Sequence, residues 1–187
     1  AVIEKLRKFI AIAEKHDVIL MHENEKDIYG DVLSRCVDLM QTLNSAHFKS
    51  AFDFANFVQC GEDTAKCWDA LRPYIVYTTF VTLGILLPSG NRPYIVYIHI
   101  KDAVSTDKEN VLCGTGEGKI PELLHKAIVE EGYTGFLTLE PHLVLFDSLQ
   151  SLETTDAKNI IRENKYKNGA EGYAAQYHAL CDILAKF

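Results

Sequence analysis

The sequence predicts a parallel α/β fold built of successive βα units, with about four strands present. Three observations carry the prediction. Apolar positions switch between helical spacing and short continuous runs in the order αβαβαβαβα, which implies a parallel sheet with covering helices. Strand starts near 17, 47, 94 and 134 recur at the spacing of βα units, with one gap too long. The 187 residues are 48% hydrophobic and 24% charged, enough apolar material to bury the core of a single domain spanning 1–187.

Each element has its own warrant. Residues 1–15 form a helix, because Val2, Leu6, Phe9, Ile10 and Ala13 share one face. Asp17–Glu23 is an apolar run ending in polar residues, as a buried strand does. Helical spacing returns over Asp31–Asn44 through Val32, Leu33, Cys36, Leu39, Met40 and Leu43. His47–Asp53 reads as a strand, and Glu62–Leu71 as a short helix with Trp68 packed on the sheet. Tyr94–Ile100 is the third strand. Ile120–Glu131 is a helix opened by Pro121, whose missing N–H costs little in a first turn. Thr134–Glu140 is the fourth strand, residues 141–170 are mostly loop, and Ala170–Phe187 is a closing helix.

The long gap has a visible cause. Arg72-Pro-Tyr-Ile-Val-Tyr77 recurs letter for letter as Arg92-Pro-Tyr-Ile-Val-Tyr97. Between the copies lies the apolar, β-prone spacer Thr78–Asn91, so about 72–91 reads as a duplicated insert. Only the second copy runs straight into Ile98 and His99, which makes it the sheet strand. The insert then enters before a strand, on the N-terminal side of the sheet. Sites of parallel α/β proteins lie on the other side.

Composition excludes several partners. With 19 Lys+Arg against 26 Asp+Glu the net charge is −7, which argues against nucleic acid, whose recognition relies on clustered cations. The longest apolar stretch, Tyr74–Leu87, is interrupted by Thr78, Thr79, Thr82 and Gly84 and is too short to span a membrane. Ala1–Lys15 is amphipathic, unlike a signal peptide. Five cysteines, an odd number without C-x-x-C spacing, predict reduced thiols in a cytoplasmic protein, and Cys113, with no base beside it, reads as structural.

Chemistry concentrates at the strand ends. Glu23, Asp53, His99 and Glu140 each close one strand, and parallel strands place those ends on one rim. One such residue alone is most often a solvated terminus or a helix cap; four in register point to a shared ligand. Three carboxylates and an imidazole suit a divalent ion, Mn²⁺ or Mg²⁺ first, with Zn²⁺ also compatible. Asn56, Lys101, Asp102 and His142 follow these strand ends and form the candidate substrate-binding set, although Lys101 and Asp102 serve equally as a plain ion pair and His142 as a loop histidine. His22 faces away from Glu23 by strand alternation and reads as a core histidine. Gly114-Thr-Gly-Glu-Gly118 offers backbone N–H groups to a phosphate or hydroxyl, or else is a turn needed for close packing.

Taken as an ordered set, His22-Glu23-Asn24, Phe52-Asp53-Phe54-Ala55-Asn56, Ile98-His99-Ile100-Lys101-Asp102-Ala103 and Leu139-Glu140-Pro141-His142 resemble the sugar phosphate isomerase/epimerase family, which has the xylose isomerase-like TIM barrel fold. The resemblance implies that Glu23, Asp53, His99 and Glu140 ligate one divalent metal. It also implies that Glu23 and Glu140 are the catalytic acid/base pair acting on a sugar or sugar phosphate, through an enediolate that the metal stabilises. Asn56 stands where some relatives carry a histidine, and would hydrogen-bond substrate or metal-bound water. The apurinic-site endonuclease branch fits less well, because no Asp-x-His follows His99 and the chain is acidic.

A full barrel has eight strands in about 250 residues. This chain supplies four βα units, and the family resemblance maps them to the C-terminal half of the barrel, which implies a half or truncated barrel whose open edges invite a homo-oligomer. A non-catalytic half-barrel that binds sugar or mediates assembly is the alternative function. A doubly wound flavodoxin-like sheet is the alternative fold.

Overall fold

Helix α1, Val2–Lys15, lays Ile3, Leu6, Ile10 and Ala13 against its neighbours. Phe9 and Val2, expected on that face, lie on its flank and are exposed. The computed structural model describes residues 1–72, 95–144 and 165–187. Strand β1 is confined to Leu20–Glu23, because Asp17 takes a left-handed φ of 51° and turns the chain before the strand begins. Helix α2, Leu33–Leu43, ends on left-handed Asn44, and β2, Phe48–Asp53, is buried throughout.

Helix α3, Phe54–Gln59, follows β2 without a break and is absent from the sequence expectation. At six residues it is too short for a helical period to stand out from the strand it continues. In α4, Thr64–Leu71, Trp68 stands edge-on to Phe52 at 5.3 Å and donates its indole N–H to Glu131 at 3.2 Å. Strand β3, Ile95–Ile100, runs through the second copy of the repeated hexapeptide. The spacer and nearly all of the first copy lie outside the described residues.

A ribbon of β4, Asp102–Ala103, with β5, Asn110–Val111, leaves the end of β3. Helix α5, Ile120–His125, has Pro121 in its first turn and continues as a π-helical turn, Lys126–Glu130. Strand β6, Phe136–Leu139, and helix α6, Gly169–Leu184, complete the described chain; most of the predicted long loop lies outside it.

One sheet organises these elements, with all four strands parallel in the order β1-β2-β3-β6. Neighbours in the sheet are therefore successive βα units. A doubly wound sheet would reverse its order at a switch point, so that alternative is set aside. One face of the sheet, carrying Phe48, Phe52, Ile98 and Ile100, packs on the apolar sides of α2, α4, α5 and α6. The other face carries Met21, Lys49, Ala51, Tyr97 and Phe136, and at its C-terminal rim Glu23, Asp53 and His99. No helix among the described residues is long and apolar enough to cross a membrane.

Asp102 departs from expectation, and the glycine loop is the reason. The Asp102 carboxylate is buried and accepts N–H bonds from Gly114, Gly116 and Gly118, each at 2.9 Å, and from Ala103 at 3.0 Å. Of the two readings of the loop, a phosphate or hydroxyl site or a close-packing turn, the second fits, since its amides are taken by the protein's own carboxylate, and Asp102 has no oxygen left for a substrate. A Cβ on Gly116 would fall 2.5 Å from Asp102 Oδ1, so this loop is glycine-rich because a carboxylate sits inside it. Asp102→Ala should lower stability by about 3 kcal/mol, since it strands several buried donors at once. Urea unfolding of wild type and variant measures the difference.

Candidate metal centre

Register brings the four strand ends together. Glu23 pairs with Ala51, two residues before Asp53; Asp53 pairs directly with His99; His99 pairs with Thr138, two residues before Glu140. These offsets are all even, and side chains alternate faces with a period of two, so the four project from one face. Each offers a ligand atom, and these atoms all lie within 4.8 Å of one another. His99 Nδ1 stands 3.0 Å from Glu23 Oε1, 3.6 Å from Glu140 Oε2 and 3.9 Å from Asp53 Oδ2.

Asp53 is the best-supported member. Its Oδ1 caps α3 by accepting the Asn56 N–H at 2.7 Å. Its backbone is held by Asn24, whose amide donates to the Asp53 carbonyl at 2.9 Å and accepts the Asp53 N–H at 2.9 Å. A side chain here extends the β1–β2 pairing beyond the last residue of β1, and so fixes where Glu23 ends relative to Asp53. Asp53 Oδ2 is left aimed into the cluster. It makes no well-directed hydrogen bond, although Lys101 Nζ lies 3.1 Å away.

Lys101 is 3% exposed and also meets Glu140 Oε2 at 2.8 Å, so in this structure it is an ion-pair partner of two cluster members. Burial opposes its charge, but Asp53 and Glu140 outweigh burial and hold the ammonium protonated well above the ordinary range. Burial raises the Asp53 carboxyl to about 6, with Lys101 and the Asn56 N–H pulling the other way. Glu140 is pressed well below the usual carboxylate range, where the donors His142, His99 and Lys101 overcome its burial. Glu140 and Glu23 together raise the His99 imidazole to about 10.

The remaining candidates are placed as follows. Asn56 is fully buried, with Oδ1 accepting from Lys26 at 3.0 Å and Nδ2 donating to Glu23 at 3.3 Å. His142 is exposed, with Nε2 3.8 Å from Glu140 Oε1. His22 lies on the opposite face from Glu23, 3.3 Å from the Gly30 carbonyl and against Phe48. Asn24, Lys26 and Gln59 were not singled out from the sequence. A short carboxamide directly after a strand is a signal for Asn24; nothing marks a loop lysine such as Lys26.

The residues present fit a divalent cation. The buried Asp53 Oδ2 lacks a well-directed donor, and the donor set is three carboxylates and an imidazole, the mix that hard to borderline ions take.

Residues 1–165 match the family of xylose isomerase-like TIM barrels. Searched against curated proteins, the sequence finds no match. Solved structures share the fold. A xylose isomerase domain protein from Planctomyces limnophilus aligns with a TM-score of 0.60 at 16% identity, over 98% of this chain and 51% of that one. The 3-keto-D-glucoside 4-epimerase YcjR from E. coli aligns with a TM-score of 0.58 at 14% identity, over 98% and 52%. The IOLI protein with a bound zinc atom aligns with a TM-score of 0.61 at 16% identity, over 99% and 55%. At such identities the likeness is one of fold, and the chain spans about half the length of these proteins. The family match covers most of the sequence and agrees with the sequential parallel sheet, so the chain belongs to the xylose isomerase-like TIM barrel family.

Proposed function

We propose that this chain is part of a divalent-metal-dependent isomerase or epimerase acting on a sugar or sugar phosphate. Glu23, Asp53, His99 and Glu140 would hold the ion, Mn²⁺ or Mg²⁺ foremost and Zn²⁺ as a further candidate. The observation that carries the reading is the convergence of those four ligand atoms within 4.8 Å on one face of the sheet. Structures described as a 3-keto-D-glucoside 4-epimerase and a D-tagatose 3-epimerase-like protein share the fold, and the IOLI structure contains zinc.

When bound, such an ion supplies a Lewis acid that stabilises the negative charge of an enediolate. The chain's own residues supply the proton transfers. Glu23 ends the first strand of the sheet and Glu140 directly follows the last, so they flank Asp53 and His99 and would approach a substrate on this rim from two sides. One carboxylate removes the proton α to the carbonyl, and the other returns a proton to the same carbon or its neighbour. In this reading Lys101, once drawn off the carboxylates, and His142, whose Nε2 lies 3.8 Å from Glu140 Oε1, would meet substrate oxygens. Asn56, fully buried, acts on Glu23, to which its Nδ2 donates. A small molecule is the partner in this reading, with neither nucleic acid nor membrane involved.

A second reading has its own support. Among the described residues β1 and β6 pair on one side only, and Phe136, at the start of β6, is 71% exposed. A half-barrel that binds or assembles without catalysis would present such edges, and pairing with a second copy would cover them.

Titration with Mn²⁺ should raise the thermal midpoint by mass action, and Glu140→Gln or Asp53→Asn should abolish the rise. No shift at millimolar Mn²⁺ would leave the non-catalytic reading standing. Given binding, sugars should exchange their α-proton with deuterated solvent in a metal-dependent way, and Glu23→Gln should slow the exchange at least about 100-fold. Binding should also depend on pH with a definite sign. His99 is protonated at neutral pH in the metal-free site and must lose that proton to ligate. The Mn²⁺ affinity should therefore rise by about tenfold per pH unit between about pH 7 and 9, with proton release visible by calorimetry in buffers of different ionisation enthalpy.

A further inference from the structure

We infer that Lys26 is a positioning residue for Glu23, acting through Asn56; this deepens the metal-dependent reading and rests on Glu23 being a ligand and acid/base group. Lys26 lies three residues beyond Glu23, in the segment that follows β1. Its ammonium is 3.0 Å from Asn56 Oδ1, 2.8 Å from Gln59 Oε1 and 3.2 Å from Glu25 Oε1.

The chemistry of the donor fixes the rest. An ammonium has three N–H groups and no acceptor, so it can face only the oxygen of a carboxamide. Asn56 is fully buried and cannot turn its amide to water. With Oδ1 committed to Lys26, the Nδ2 group is aimed at Glu23 Oε1, 3.3 Å away. Gln59 is oriented by the same lysine. Its oxygen faces Lys26, and its Nε2 donates to the Lys108 carbonyl at 2.8 Å and to Asn110 at 3.0 Å, which ties the network to β5.

Glu23 has two partners for Oε1 in the metal-free rim, Asn56 Nδ2 and His99 Nδ1. Once His99 gives its lone pair to an ion, that contact is no longer a hydrogen bond to Glu23. Among the described residues Asn56 is then the donor left on Oε1. The rotation of the Glu23 carboxylate in the loaded site depends on which way the Asn56 amide points, and Lys26 decides that.

The test compares two substitutions of different hydrogen-bonding character. In Lys26→Arg the side chain is still donor-only; in Lys26→Gln it both donates and accepts, so it no longer dictates the Asn56 orientation. Dissociation constants for Mn²⁺ are measured by calorimetry on the full chain, together with the thermal midpoint of the metal-free protein. Lys26→Arg should stay within about threefold of wild type, while Lys26→Gln should weaken binding about tenfold, the lower end for groups that orient ligands. In an Asn56→Leu background the same Gln substitution should add nothing, because its route to Glu23 is gone.

Equal effects of Arg and Gln, or a Gln effect that persists undiminished in the Asn56→Leu background, would overturn the inference. If Lys26→Gln does not fold, Asn56→Asp asks the same question, since its carboxylate still accepts from Lys26 but gives Glu23 no donor. Its Mn²⁺ affinity should fall at least about tenfold, and an unchanged affinity would sink the idea. Wild-type protein that binds no Mn²⁺ at millimolar concentration is a separate outcome, and it removes the metal reading and this inference together.

Discussion

Burial of the Asp53 carboxylate is the constraint on which the rim depends. A carboxylate withdrawn from water must be met by donors or cations, and Asp53 is held at both carboxylate oxygens and at its backbone. Its backbone is clasped by Asn24 from the end of β1, its Oδ1 starts α3, and its Oδ2 faces Lys101 and the cluster. Each contact also places another member of the site. The Asn24 clasp sets Glu23 beside Asp53, the α3 cap puts Asn56 over Glu23, and the Oδ2 contact draws in Lys101. Remove Asp53 and these three placements lose their common reference.

The sheet supplies what Asp53 cannot, namely the approach of strands far apart in sequence. Two like charges 4 Å apart at an effective dielectric near 20 repel by about 4 kcal/mol, so three carboxylates gathered on one rim need cations among them. The even register offsets force the gathering, and His99 and Lys101 answer it with protons held against the ordinary tendency of buried groups to discharge. A site so arranged keeps its shape through internal cations and would exchange part of that charge for an ion. Lys101, two residues after His99 and on the same face, is the tethered form of that charge.

Much of this was legible in the sequence because strand ends in a parallel sheet are legible. Apolar runs ending in Glu23, Asp53, His99 and Glu140 announce a rim without any knowledge of tertiary contacts. The repeat at Arg72 and Arg92 likewise showed which copy continues into His99. Failures have physical causes of the opposite kind. Helix α3 is too short, at six residues, for a period to be read, and the Val2 and Phe9 side chains lie just off the buried stripe of α1, where small angular differences decide burial. Lys26 and Gln59 are invisible because their roles exist only after chain segments distant in sequence have met.

Asp102 and Asp53 show why residue type and position alone do not assign a role. Both are buried aspartates on the sheet's C-terminal side, and both were candidates for the site. Asp102 is satisfied by four backbone N–H groups on both of its oxygens, a saturated arrangement in which the carboxylate organises a loop and has nothing left to offer. Asp53 has one oxygen held by a single backbone N–H, that of Asn56, and the other opposed only by a side-chain ammonium, a partner that can move. Backbone donors are fixed by the fold, whereas a lysine can withdraw. An oxygen answered only by a mobile cation is one that a ligand can claim, and this difference separates a structural carboxylate from one available for chemistry.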